Sequence, residues 1–182
     1  MAVRVRTQAT IAGARIPIQV DVGFGDAITP GPIEIEYPAL LDAPAPHLRA
    51  YPIETVVAEK FHALAARGIT NSRLKDYYDL WLIANTFELD RAPLAAAIRQ
   101  TFARRETALP QEKPTGLSDA YVETWGDQWR TFLTRERMAA APEQLPTVVA
   151  DLERFLLPLI EDAEGDWRWK SGTGWVQGTP RA

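Results

Sequence analysis

A lysine set in the middle of an apolar helical stripe is the first residue of this chain that could do chemistry. It lies in Tyr51-Pro52-Ile53-Glu54-Thr55-Val56-Val57-Ala58-Glu59-Lys60-Phe61-His62-Ala63-Leu64. At about 100° per residue, Ile53, Val56, Val57, Phe61 and Leu64 share one side, and Lys60 projects from near the centre of that stripe. Burying an unpaired ammonium is costly, so Lys60 must reach water along its methylenes, pair with an acid, or meet an anionic ligand. The next charged run supplies acid. In Asn71-Ser72-Arg73-Leu74-Lys75-Asp76-Tyr77-Tyr78-Asp79-Leu80, Asp76 and Asp79 are three apart on one side of a helix. Asp76 falls between the directions of Leu80, Ile83 and Phe87 rather than on a solvated face. A purely structural account is equally open: the two aspartates favour the positive end of their helix, Arg73 pairs with Asp76, and Lys60 snorkels to water.

These side chains need helices to hold them. Pro52 suits a first helical position, and Gly68 a stop. Asn71 or Ser72 can cap a second helix running through Ile83. A third begins at Asp90, carries Leu94, Ile98 and Phe102, and ends in Arg104-Arg105. Ser118 opens a fourth with Tyr121, Trp125, Trp129 and Phe132, and Pro142 opens a fifth through Val148, Leu152, Phe155 and Leu156. Their apolar stripes read as the core of a small helical bundle.

Ahead of the helices, residues 3–9 and 15–22 favour strand and join across Ile11-Ala12-Gly13-Ala14 as a hairpin, with Asp21 at the end of the second strand. Loop chemistry follows through Pro32, with Asp26 a turn residue; 33–37 suggests an edge strand, and a proline-rich connector spans 38–46. From Gly165 the chain, with Trp167, Trp169 and Trp175, reads as an irregular arm docked through its tryptophans. The expected fold class is α+β, with a β region and connector over 1–50, a helical domain over 51–164 and the tail over 165–182. Two strands alone are marginal in water. The hairpin is therefore expected to meet missing strands or to self-associate, with Val5, Ile16, Ile18 or Val20 near the contact.

Composition narrows the chemistry. The 182 residues are 46% hydrophobic, enough for a real core, and include no cysteine, which excludes disulfide scaffolds, thiolate zinc sites and thiol catalysis. Only His47 and His62 offer imidazole; His62 reads as a surface residue away from Lys60, and His47 as part of the connector. A formal charge of −4 argues against a globally basic nucleic-acid binder, leaving Arg104, Arg105, Arg135 and Arg137 as a local possibility. No apolar run has the length of a signal peptide or of a membrane span, so a cytoplasmic protein is expected.

Three runs, Gln19-Val20-Asp21-Val22-Gly23-Phe24-Gly25-Asp26, Tyr51 through Lys60, and Asn71 through Leu80, resemble in order and spacing the later motifs of the AbiEii/AbiGii-type nucleotidyltransferase toxins. The resemblance covers roughly residues 1–110 directly. It implies a nucleotidyltransferase-fold sheet followed by a helical domain, in toxins of toxin–antitoxin or abortive-infection systems that transfer a nucleotide from an NTP to an acceptor such as tRNA. By resemblance, Asp21 is the strand acid beside the metal site, Lys60 contacts nucleotide phosphate, and Asp76 orients Lys60 or the nucleophile. Glu59, Lys75 and Asp79 flank these positions at the nucleotide. The family places a Gly-Gly or Gly-Ser motif and an Asp-x-Asp pair before the strand acid, and no Asp-x-Asp occurs in this chain. Two-metal phosphoryl transfer needs several carboxylates around Mg²⁺, so Asp21 alone is an incomplete site. The expectation is a truncated or split enzyme, inert alone, completed by an upstream fragment and opposed by a cognate antitoxin. The alternative is a non-catalytic helical module that binds a protein or RNA partner.

Overall fold

The computed structural model describes residues 2–25, 27–39, 42–161 and 165–178. Asp26 lies outside the described residues. The fold is α+β: a helical body preceded by two small antiparallel hairpins and closed by a third small sheet.

Strands β1 (Ala2–Ile11) and β2 (Ala14–Gly23) pair antiparallel along their whole length, from Ala2 opposite Gly23 to Ile11 opposite Ala14. The turn is Ala12-Gly13, with φ of 48° and 83°, the left-handed pair that a two-residue hairpin turn needs and that glycine adopts without strain. The register places Val3, Val5 and Ile11 on the same face as Ile16, Ile18, Val20 and Val22, and all seven are exposed. Both strands outrun the sequence reading, and Asp21 sits within β2 opposite Arg4, not at a strand end.

The proline-rich connector turns back on itself. β3 (Ile33–Glu36) pairs with β4 (His47–Ala50), and the Tyr37 amide donates to the Pro46 carbonyl at 2.9 Å. His47 is therefore a strand residue. β4 was hidden in the sequence because it occupies four of the five residues between Pro46 and Pro52, too short a run to show alternation.

The body comprises α1 (Ile53–Arg67), α2 (Leu74–Thr86), α3 (Arg91–Arg104), α4 (Asp119–Glu136) and α5 (Leu145–Leu156). α1 packs chiefly on α3, while α5 packs on both α2 and α4. Phe61, Leu64, Tyr77, Leu80, Leu94, Ile98, Phe102, Tyr121, Trp129 and Phe155 are sealed inside. The N-terminal region is tied to this body through 25–29: Arg104 Nε donates to the Gly25 carbonyl at 2.6 Å, and the Thr29 amide donates to Thr55 Oγ1 at 2.9 Å.

Two helix starts differ from the sequence reading. The N-cap of α2 is Arg73, with no side-chain cap; Asn71 serves two residues earlier, its Oδ1 accepting the Arg73 amide at 3.2 Å. α5 begins at Leu145 rather than Pro142, whose carbonyl instead accepts the Trp129 indole N–H at 2.9 Å. The tail is not irregular. β6 (Trp167–Lys170) and β7 (Gly174–Gln177) form a hairpin, and β6 pairs with β5 (Leu89–Asp90) between α2 and α3. Its docking through tryptophans holds: Trp169 is buried, its indole N–H donating to the Ala84 carbonyl at 2.6 Å, and Trp175 stacks on Phe155 at 6.1 Å. Among the described residues, no helix is long and apolar enough to cross a membrane.

Candidate functional site

The structure brings Lys60 of α1 against both aspartates of α2. Lys60 Nζ lies 2.6 Å from Asp76 Oδ1 and 2.8 Å from Asp79 Oδ2, and the three side chains are 19%, 15% and 21% exposed. Lys75, one helical turn before Asp79, binds the same carboxylate at 2.8 Å from solvent. Burial works to lower the Lys60 pKa, but the hydrogen bonds and charges of Asp76 and Asp79 together outweigh it and hold the ammonium above the ordinary lysine range. Burial likewise pushes Asp79 up, and Lys60 and Lys75 more than reverse it. An ammonium has three hydrogens, and the two carboxylates engage two of them. Neither carboxylate engages the third.

This geometry follows from how α1 and α2 are joined. Gly68 ends α1 at φ 53°, and a side chain there would collide with Thr115 Oγ1. A 3-10 turn, Gly68–Thr70, then leads towards α2. Behind Asp76, Tyr77 and Tyr121 stack at 4.6 Å; the Tyr77 hydroxyl donates to the Gly116 carbonyl at 2.7 Å and the Tyr121 hydroxyl to the Asn71 carbonyl at 3.0 Å. Both phenols are buried and their pKa values are driven upward by that burial, so they act as neutral struts that fix the start of α2.

Other sequence candidates stand elsewhere. Glu59 turns away from the aspartates to pair with Arg105 at 2.7 Å. Asp21 is exposed on the hairpin, and both its oxygens are taken by the Arg4 guanidinium, at 2.6 and 3.1 Å. Arg4 lowers its pKa chiefly by that hydrogen bonding. Among the described residues, no three of the histidines, aspartates and glutamates gather as a metal-ligand group. The donor set around Asp21 therefore does not fit a magnesium ion, which takes several oxygens in near-octahedral array. His62 is not a plain surface residue: it is half-buried, edge-on to Phe102 at 4.9 Å and 3.1 Å from Thr107 Oγ1. Burial, then the charge of Arg105, lowers its pKa. Arg104 is spent on the Gly25 carbonyl, and Arg137 is the left-handed cap of α4.

A cleft of about 740 Å³ opens beside Asp76, between the start of α2 and the outer side of α4. Leu74 and Phe132 form its floor, and charged and polar side chains form its walls.

A family model described as Nucleotidyl transferase AbiEii toxin, Type IV TA system, matches residues 1–156. The chain belongs to this family. It matches no curated protein and no solved structure. As an AbiEii nucleotidyl transferase toxin of a type IV toxin–antitoxin system, it carries the Lys60 and Asp76 segments joined by direct ion pairs across two helices, with the Asp21 segment apart on the hairpin. Sequence reasoning missed two contributors around them and one clamp elsewhere in the body. Tyr77 and Tyr121 are visible as apolar-face residues, but their partners, the Gly116 and Asn71 carbonyls, are backbone groups that leave no sequence signal. Arg91, at the start of α3, reaches the Pro158 carbonyl at 2.7 Å and the Glu161 carbonyl, gripping the chain just after α5.

Proposed function

We propose that this chain binds a nucleoside triphosphate with its phosphates at Lys60, and so contributes the lysine-and-acid half of a nucleotidyl-transfer site whose acceptor is an RNA such as tRNA. The observation that carries this reading is the double pairing of Lys60 Nζ by Asp76 and Asp79 from the next helix. Two carboxylates fix the ammonium in place, keep it charged at neutral pH, and leave one donor to aim at a phosphate oxygen. Asp76 and Asp79 act as positioning residues, Lys75 adds positive charge at the rim, and Glu59 holds Arg105. With Lys60 and Lys75 set against two aspartates, the cluster is close to neutral. Further charge to balance a triphosphate must therefore come from elsewhere.

Magnesium chemistry here requires carboxylates that the described residues do not gather. The exposed hairpin, where Asp21 could exchange Arg4 for such company, is where strands carrying an Asp-x-Asp pair would add, supplied by chain outside this sequence or by a partner. The cytoplasm, where NTPs and tRNA meet, is the matching setting, and a cognate antitoxin the matching opponent.

Calorimetry with NTPs tests the core of the proposal. Lys60→Ala should weaken binding by about 1.5–3 kcal/mol, the worth of a hydrogen bond to a charged group. Equal affinity in the two proteins would remove Lys60 from the site. Labelled NTPs, Mg²⁺ and total tRNA test transfer: this chain alone should incorporate no label, and robust incorporation that Asp21→Ala abolishes would overturn the need for added carboxylates. A second reading, a non-catalytic module that binds protein or RNA, is favoured by Lys60 already having two carboxylate partners. It predicts no NTP binding, and indifference to a fragment carrying Asp-x-Asp strands.

A further inference from the structure

The cleft between α2 and α4 has an unbalanced charge. Its walls carry three cations, Arg73, Lys75 and Arg135, and two acids, Asp76 and Asp127. Each acid is already matched by a cation outside the walls, Asp76 by Lys60 and Asp127 by Arg130. Lys75 in turn has Asp79 at 2.8 Å, and Arg135 has only its exposed neighbour Glu136 at 2.8 Å. Arg73 has no ion-pair or side-chain hydrogen-bond partner among the described residues. With these partners included, five cations face four carboxylates, in a protein whose overall formal charge is −4. A surplus of positive charge inside a concavity is focused by its low-dielectric walls, unlike the same charge on a convex surface.

The remaining chemistry of the cleft selects among anions. Ser72, Gln128 and Thr131 add neutral polar groups to the walls. Arg73 stands at the N-cap of α2, a 13-residue helix without a side-chain cap whose Leu74 and Asp76 amides are taken by the Ser72 and Arg73 carbonyls, so the guanidinium and not the helix end supplies the charge here. The aromatic side chain on the floor, Phe132, is only 7% exposed and is engaged edge-on with Tyr78. A nucleobase would find no open ring face on which to stack, whereas a phosphate would find a fork-shaped donor and flanking charge.

We propose that this cleft is a phosphate-binding site, with Arg73 as its principal ligand and Arg135 and Lys75 framing it, and that it takes a phosphate of the triphosphate or of the RNA acceptor strand. The proposal deepens the nucleotidyl-transfer reading, on which it rests for the kind of molecule that carries the phosphate. Recognition through phosphate alone makes the site indifferent to base sequence and sensitive to salt.

The test compares two charge-matched double variants, Arg73→Ala with Arg135→Ala, and Lys113→Ala with Arg154→Ala, the latter pair lying outside the cleft walls. Two ligands are titrated at low salt in EDTA: ATP by calorimetry, and a fluorescent single-stranded RNA 12-mer by anisotropy. The cleft variant should bind at least one of them about tenfold or more weakly, with a shallower salt dependence, while the control variant stays within about twofold of the parent protein. Loss confined to ATP assigns the site to the triphosphate; loss confined to RNA assigns it to the acceptor strand. Equal weakening in both double variants, or no binding of either ligand by the parent protein, overturns the proposal. If the double cleft variant melts early, Arg73→Gln alone must show the same direction of effect. An NTP affinity insensitive to Lys60→Ala but lost in the cleft variant would sink the Lys60 reading and leave this one standing; the reverse pattern, with RNA affinity also unchanged in the cleft variant, would sink this one alone.

Discussion

The two-stranded hairpin and the helical body are built from similarly apolar sequence, yet only one of them is covered. In α1, Val57, Phe61 and Leu64 are completely buried; in β1 and β2, Val5, Ile18 and Val20 are 47%, 40% and 48% exposed. The buried apolar cluster runs from Val57 to Trp169 and, among the described residues, takes nothing from either N-terminal hairpin. Alternation of apolar residues therefore establishes that a face seeks cover, and says nothing about whether this chain supplies it. Lys60 makes the matching point for charge. It looked misplaced on its stripe until the second helix brought its two acids, whereas Asp21 met an exposed arginine across the strand and the Gln19 amide beside it.

The sharpest way to break this contrast is to truncate apolar side chains in each region. Trp129→Ala should destabilise the body by about 3–5 kcal/mol in urea unfolding, because it opens a void in a sealed core. Val5→Ser with Ile18→Ser, on the bare face, should sit at the other extreme, within about 0.5 kcal/mol for each substitution in the same unfolding measurement. A hairpin double variant that loses several kcal/mol would mean that its face is packed after all.

Between these limits lie the polar contacts of the site. Lys60→Met strands Asp76 and leaves Asp79 with Lys75 only, and should cost about 2–3 kcal/mol, somewhat under the figure for a fully buried pair because the partners retain some solvent. A cost below about 0.5 kcal/mol would show that the ion pair is a surface ornament. Tyr77→Phe removes the hydrogen bond to the Gly116 carbonyl and should cost about 1–2 kcal/mol, with Asp76 less firmly placed.

Acid pH probes the same ion pairs gradually. The Asp79 pKa is depressed in the folded state, so the unfolded chain binds its proton first; the stabilisation is complete above the ordinary value of 3.8 and fades as pH falls through the lower, folded value. For Lys60, raised in the folded state, the stabilisation is complete below 10.5 and fades as pH climbs past it. Urea midpoints for Asp79→Asn should thus converge on those of the parent protein as pH falls below 3.8. Parallel curves would contradict that linkage.

Helix periodicity made α1 to α4 and the Lys60–Asp76 encounter legible, since a charge on an apolar stripe demands a partner and only one nearby segment offered acid. The hairpin was legible from alternation and from the glycine turn. What stayed hidden depended on backbone partners distant in sequence. β4 shows itself only when paired with β3, and the tail looked irregular because Trp167, Trp169 and Trp175 sit in short strands whose partner, β5, is two residues long. The cleft was hidden for a related reason: Arg73 and Arg135 are ordinary surface arginines in sequence, and only the packing of α4 beside the start of α2 makes them neighbours of one cavity.

The pairing of β5 with β6 also has a consequence in time. Ala84 receives the Trp169 indole from 85 residues further along the chain. At roughly 5–20 residues per second on a ribosome, the gap between α2 and α3 therefore stays open for roughly 4–17 s after Ala84 is made. During that interval Leu89 lacks its strand partner Trp169, and Phe155 of α5, once made, lacks Trp169 and Trp175. A nascent chain arrested before Trp167 would carry every side chain of the Lys60 network and still lack the wedge that shuts the body. Protease sensitivity of such arrested chains should fall abruptly once 167–177 has cleared the exit tunnel.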